Sequence, residues 1–245
     1  MVNKTTRFLT TVKKSGPGKD KNRKLSVLIL NATPGYRMKS YGPKCLLKIN
    51  NTSILEHQIS IIKNLYSNVE IIVTIGFDAD KILRKQIKGI RFVENQLYDT
   101  TNITEEIRLG LNNIETNDVI ILYGDIVFNL QTIESITKND MSSIIYTEKG
   151  FDDEVGITIV DNNLSIMSYG LNEFKWCKMM YLTGNELNAF KNICSNKENN
   201  RLYPFEIINM VLDKNNTKFY CINQSNSPIV RIDSIKDIKN ENSHI

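Results

Sequence analysis

SVLILNATPGYRMKSYGPK, residues 26–44, sets an almost unbroken apolar run against a loop of small, turn-forming and cationic residues. SVLILNA has no polar alternation, so it reads as a strand buried on both faces. Pro34, Gly35, Gly42 and Pro43 then punctuate the loop. In an open α/β sheet, ligands bind beyond the carboxyl ends of the strands, and this loop lies there. Ala32 and Gly35 leave room for a ligand to approach the backbone, and Arg37 and Lys44 can neutralise phosphate oxygens. The same residues also fit a surface loop with two solvated cations.

The pattern repeats downstream. Helical spacing of Ile54, His57, Ile61, Ile62 and Leu65 predicts a helix over 54–66, capped by Thr52 or Ser53. VEIIVTI (69–75), IRFVEN (90–95) and DVIILYGDIVF (118–128) read as strands, CLLKI as a short one, and 78–88 and 103–113 as helices, the latter starting near Thr101 or Asn102. Strand and helix alternate through the first half, which predicts a mostly parallel sheet covered on both faces. In the second half SSIIYTE (142–148), VGITIVD (155–161) and LSIMSYG (164–170) follow each other closely, as antiparallel pairs do. Helices are expected at 184–193, at 204–213 and from Ser234, and strands at 217–222 and 228–232. The fold class is therefore α/β: a Rossmann-like three-layer α/β/α domain over 25–245, with a mixed, mostly parallel sheet and a small antiparallel extension.

Two acids close strands. Asp125 follows an apolar strand in ILYGDIVF, where an unpaired carboxylate is costly. Asp233 follows the strand in IVRIDSIKDI. Both fit a hard cation such as Mg²⁺ bridging carboxylate and phosphate; a turn Asp or helix N-cap is the alternative at each. No G-x-G-x-x-G follows the first strand, which argues against a dinucleotide-dependent oxidoreductase.

The 245 residues carry a net charge of +4. Residues 1–24 alone carry +7, leaving −3 on the body. The basic tail suits a nucleic acid, an acidic partner surface or simply solvent. No apolar run is long enough for a membrane span, and the N-terminal segment lacks the apolar stretch of a secretory signal. Four cysteines without C-x-x-C spacing or a neighbouring His argue against zinc and for buried free thiols. A reducing, cytoplasmic setting is expected.

Taken together, these motifs resemble the nucleotidyltransferases that make activated sugars and activated phospho-alcohols, phosphocholine cytidylyltransferases among them. Their signature L-A-A-G-x-G-x-R-M followed by P-K is similar to L30-N-A-T-P-G-Y-R-M38 and P43-K44. VEIIVTIGFDADKI, ENQLYDTTNITEEI, YGDIVF and RIDSIKDI resemble later family segments in the same order, over about residues 25–240. The resemblance implies transfer of NMP from an NTP, with CTP or UTP as donor, to a phosphorylated sugar or a small phospho-alcohol such as phosphocholine, with release of pyrophosphate. It implies that Arg37 binds the β/γ-phosphates, Lys44 the α-phosphate, and Asp125 and Asp233 the Mg²⁺. Asn31, Ala32, Thr33, Gly35, Gly76 and Asn102 would surround the nucleotide, and Trp176, Tyr181, Tyr203 and Glu206 would face the acceptor, with Phe205 beside them.

Two departures stand out. Asn31 replaces an Ala, and Thr33 replaces the first signature Gly, where a Cβ would forbid positive φ and crowd the nucleotide. Pro34 also lacks an N–H for phosphate. A catalytically degenerate relative, acting as an interaction protein through its tail, is the competing expectation.

Overall fold

The computed structural model describes residues 24–35, 40–148, 154–224, 229–234 and 237–238. Strand β1 (Ser26–Asn31) is central. Its Leu28 and Leu30 enter one apolar cluster, and Val27 and Ile29 enter another on the opposite face. Both faces are covered, which is why the run has no polar alternation.

A 3-10 turn, Lys44–Leu46, comes next, followed by a tiny hairpin of β2 (Lys48–Ile49) and β3 (Thr52–Ser53). CLLKI is thus mostly a turn. Cys45 is buried there, and Asn50 and Asn51 carry the positive φ angles, 48° and 67°, that a two-residue hairpin needs. Helix α1 (Ile54–Leu65) starts on Ser53, whose hydroxyl accepts from the Glu56 N–H while the Glu56 carboxylate accepts from the Ser53 N–H. Its buried face is Ile54, Leu55, Gln58, Ile59 and Ile62: Ile54 and Ile62 are buried as expected, whereas Leu55, Gln58 and Ile59 take the place of His57, Ile61 and Leu65.

The chain continues through β4 (Glu70–Ile75), the short α2 (Ala79–Leu83), β5 (Arg91–Glu94), α3 (Ile103–Leu111), β6 (Asp118–Tyr123) and β7 (Ile126–Val127). The expected single strand 118–128 is therefore broken at Gly124–Asp125. Helix α4 (Leu130–Thr137), which the sequence pattern does not disclose, precedes β8 (Ser143–Thr147), β9 (Gly156–Val160), β10 (Asn163–Ser168) and the ten-residue β11 (Phe174–Thr183). Then come α5 (Gly184–Ser195), α6 (Pro204–Leu212), β12 (Tyr220–Asn223) and β13 (Val230–Arg231). Of the helix expected from Ser234, only 237–238 fall within the described residues, and they are helical.

Nine strands form one sheet in the order β5-β4-β1-β6-β11-β8-β12-β10-β9. β5, β4, β1 and β6 are parallel, as expected. Beyond β6 the joins are antiparallel except β12–β8, so the antiparallel part is continuous with the sheet and as wide as the parallel part. β9 and β10 pair as expected, whereas β8 pairs with β11 and β12 rather than with β9. β11 is hard to see in the sequence because its register shifts between Trp176 and Met180, so its side chains do not keep a period of two. Helices α3, α5 and α6 pack on one face, and α1, α2 and α4 on the other. No helix among the described residues is long and apolar enough to cross a membrane. The four cysteines are free, and burial pushes the thiols of Cys45, Cys194 and Cys221 up to about 12.

Candidate functional site

The strand order reverses direction between β1 and β6, and both emerge there at their carboxyl ends. Ligands of open α/β sheets bind at such a switch point. The loop after β1 brings Lys44 to it, and the break after β6 brings Asp125. Asp233 arrives through β13, which pairs antiparallel with β7, with Arg231 opposite Ile126. The Ile232 N–H donates to the Asp125 carbonyl at 2.8 Å, which fixes the two acidic segments against each other.

Lys44 bridges the acids. Its Nζ lies 3.3 Å from Asp125 Oδ2 and 2.9 Å from Asp233 Oδ1. The Lys44 stem crosses directly over Gly35, and a Cβ at 35 would collide with its Cδ and Cγ at 2.9 Å. Gly35 is thus small to let the lysine through, and its φ is not positive. Lys178 Nζ stands 4.0 Å from Asp125 Oδ2, and Arg231 Nε 2.6 Å from Asp233 Oδ2, though its N–H is not aligned for a hydrogen bond. Arg231 also reaches Glu154 at 3.3 Å. Three cations thus face three acids in a mostly buried cluster.

Burial alone would raise the Asp125 pKa. Lys178, Lys44 and Arg231 outweigh it and hold the carboxyl below its usual range, so Asp125 is ionised at neutral pH. Its Oδ1 is buried without a hydrogen-bond donor. An ionised, orphaned oxygen beside a second carboxylate fits a hard cation. Among the described residues no group of three or more His, Cys, Asp or Glu side chains could hold a metal. A cation here would complete its shell with phosphate and water oxygens, as Mg²⁺ commonly does. Asp233 is not spent as a cap: Asp237 accepts the N–H groups of Asp233 and Ser234 at 2.9 and 2.7 Å, leaving the Asp233 carboxylate for the cluster.

Two buried polar side chains that are not among the expected site residues shape this end of the sheet. Gln58 Nε2 donates to the Tyr123 and Ile126 carbonyls at 3.0 and 2.8 Å, clamping the turn that carries Asp125. Glu106, fully buried, accepts from the Ala32 N–H at 3.0 Å, the Thr33 hydroxyl at 3.0 Å and the Thr74 hydroxyl at 2.9 Å. Desolvation raises its pKa, against the pull of those donors. Thr33 has no positive φ, so the strain expected from its Cβ does not arise; its hydroxyl instead anchors the loop to Glu106. Their one sequence signal is a polar residue on a helical stripe that proves buried, Gln58 among Leu55, Ile59 and Ile62 and Glu106 among Ile107, Gly110 and Leu111, and it can be read only once the stripe is known.

The other expected residues divide. Gly124 lacks the Cβ that would run into the Asn31 carboxamide, so Asn31 packs beside the Asp125 turn. Gly76 lets the end of β4 close on Ala32: the Phe77 N–H donates to the Ala32 carbonyl at 2.8 Å, and a Cβ at 76 would sit 2.9 Å from that oxygen. Asn102 caps α3 through the Ile103 N–H and donates to the Arg201 carbonyl. Trp176 is buried and meets the Tyr123 ring edge-on, centroids 5.8 Å apart, so it supports the site from below. Tyr181 is a correction: it is buried opposite Ile120 and donates to Asp118 Oδ1 at 2.7 Å, toward the amino end of β6 and away from the cluster. Glu206 is a second: its carboxylate accepts the Tyr203 N–H at 2.7 Å and caps α6. Tyr203 stacks on Phe205 with centroids 5.9 Å apart, and both rings meet Tyr169 edge-on. Arg37 and residues 1–23 lie outside the described residues.

A mixed sheet with parallel central strands, a lysine reaching its switch point from the loop after β1 and paired acids beside it define an open α/β protein with a charged cluster where such folds bind ligands. The MobA-like NTP transferase domain family matches residues 27–153, and the chain belongs to it. The Bifunctional protein GlmU of Koribacter versatilis is 31% identical over 118 residues, 47% of this chain and 25% of that protein. Its counterpart from Vesicomyosocius okutanii is 28% identical over 175 residues, 67% of this chain and 36% of that protein. The chain thus spans about a quarter to a third of the length of these curated relatives. Among solved structures, the CTP:phosphocholine cytidylyltransferase from Streptococcus pneumoniae superposes with a TM-score of 0.74 at 17% identity, covering 90% of this chain and 98% of that one. The inositol-1-phosphate CTP transferase from T. maritima gives 0.72 at 13% identity, covering 89% and 95%. At these identities the likeness is one of fold.

Proposed function

We propose that the protein is an Mg²⁺-dependent nucleotidyltransferase that moves NMP from CTP or UTP to a small phosphorylated acceptor and releases pyrophosphate. The observation that carries this reading is the Lys44–Asp125–Asp233 cluster at the switch point, with Asp125 ionised and its Oδ1 orphaned. Bound between Asp125 and Asp233, Mg²⁺ would supply charge neutralisation for the triphosphate. The chain's own residues do the rest. Lys44, released from the acids, neutralises the α-phosphate, and Arg37 in the same loop neutralises the departing pyrophosphate. An acceptor phosphate oxygen forms a bond to the α-phosphorus as the bond to the β-phosphate bridging oxygen breaks. Both reacting groups arrive deprotonated, so no proton need move, and catalysis is positioning and charge neutralisation.

The acceptor mouth would be formed by Tyr169, Tyr203 and Phe205, whose clustered rings favour a cationic headgroup and hence phosphocholine over a sugar phosphate, whose sugar carries no charge. The test is pyrophosphate release with each of four NTPs and Mg²⁺ against phosphocholine, inositol 1-phosphate and glucose 1-phosphate. Asp125→Ala should lower the productive rate by about a thousandfold or more, the scale of losing a preorganised charge-stabilising group. No release with any pair would refute the reading and favour the degenerate, tail-borne interaction role.

A further inference from the structure

Lys178 has no part in the sequence signature, yet its placement is the most unusual in the sheet. It lies in the middle of β11 with φ +58°, a left-handed conformation inside a strand. The register against β8 shifts between Trp176 and Met180, so Lys178 stands on a bulge. Bulges re-aim side chains near active sites, and a non-glycine residue in the left-handed region is disfavoured unless its surroundings demand it. Here the bulge turns the ammonium toward Asp125 Oδ2, 4.0 Å away, and over the Tyr123 ring, 5.2 Å from its centroid. Trp176 meets the same ring edge-on, with centroids 5.8 Å apart.

Lys178 differs from the other two cations. Lys44 donates to two carboxylates, and Arg231 is engaged with Asp233 and Glu154. Among the described residues the Lys178 ammonium makes no hydrogen bond, only the long pair with Asp125 and the contact with the Tyr123 ring. Its three donors are aimed at the site and largely unused. Its direction of approach is also distinct. β6 lies between β1 and β11, so Lys44 reaches Asp125 from the side of the loop after β1, and Lys178 from the opposite, antiparallel side.

We propose that Lys178 binds the phosphate monoester of the acceptor and holds it beside Asp125. This deepens the nucleotidyltransferase reading and rests on it for the identity of the site. A transfer between two phosphates needs cations on both sides of the point of attack, or the incoming dianion is repelled by the triphosphate. Lys44 serves the donor side, and Lys178 is the cation on the other.

The experiment uses the full chain and two variants, Lys178→Gly and Lys178→Met. Calorimetric binding of phosphocholine, glucose 1-phosphate and inorganic phosphate is measured with a non-transferable NTP and Mg²⁺ present. Both variants should weaken binding of the monoester that the wild type takes by about tenfold, the scale of one charge-assisted hydrogen bond, while NTP affinity changes by less than about twofold. Lys178→Gly should melt no lower than the wild type, because glycine relieves the left-handed strain. A purely structural lysine predicts the reverse: a lower melting point and equal losses of both ligands. Unchanged monoester affinity in the variants, or no monoester binding by the wild type, overturns the inference. Pyrophosphate release by the wild type reports separately on the reaction, so failure of the reaction and failure of the Lys178 assignment are distinguishable.

Discussion

The loops that close the parallel half of the sheet and the rings that rim its antiparallel half are built on opposite principles. After β1 and β6, buried polar side chains tie down the described backbone: Gln58 grips the turn bearing Asp125, and Glu106 grips Ala32 and Thr33. On the other side, Tyr169 and Tyr203 stand 50% and 45% exposed and pack on each other and on Phe205. Charges that must meet a triphosphate need fixed geometry, because misplacement by about 1 Å costs a large part of the rate. Ring faces tolerate more, because a cation–π contact depends weakly on exact position. On the proposed function, the rigid half would set the reaction and the looser half what is accepted.

Breaking a clamp should thus damage stability and reaction together. Gln58→Leu keeps volume but removes the donor to two buried carbonyls, and should cost about 2 kcal/mol in chemical denaturation. The rate of pyrophosphate release should fall with it, because the turn carrying Asp125 is freed. Unchanged stability would show that the clamp is idle.

Glu106→Gln should have a smaller, pH-dependent effect. Burial raises the Glu106 pKa above the ordinary 4.5, so above pH 4.5 the folded state binds more protons than the unfolded state. Wild-type stability accordingly falls as pH rises from 4.5 to the raised value and is flat beyond it. The slope within that window is about 1.4 kcal/mol per pH unit at most. The Gln variant carries no such titration and should lack that slope. Parallel melting curves for both proteins from about pH 4 to 8 would show that Glu106 is not the titrating group.

This division also decides what the sequence can reveal. β1, β4 and β6 are legible because both of their faces are buried and their composition says so. Asp125 and Asp233 are legible because each sits where a strand gives way to a loop, and Lys44 because it is a cation in the loop that follows the first strand. Gln58 and Glu106 are not, because a polar residue on a helix reads as solvent-facing until its stripe is known, and the expected stripe of α1 shares only Ile54 and Ile62 with the buried one. β11 is hidden by the bulge at Lys178. Tyr181 and Glu206 lie in segments that resemble the acceptor side, but a residue's face is fixed by pairing register. The antiparallel register of β11 on β6 sends Tyr181 toward Asp118.

The smallest effect should come from the exposed rim and should be selective. Tyr203→Ala leaves the backbone N–H that Glu206 accepts, so α6 keeps its cap and stability should change by less than about 0.5 kcal/mol. An exposed cation–π contact contributes about 0.5–1 kcal/mol, so affinity for phosphocholine should fall about two- to fivefold. Affinity for glucose 1-phosphate, which has no cation to place on the ring, should hold. An equal loss for both acceptors would mean that Tyr203 shapes the mouth without reading charge. A loss of stability as large as that of Gln58→Leu would erase the contrast between the two halves, because the rim would then be as structurally committed as the clamps.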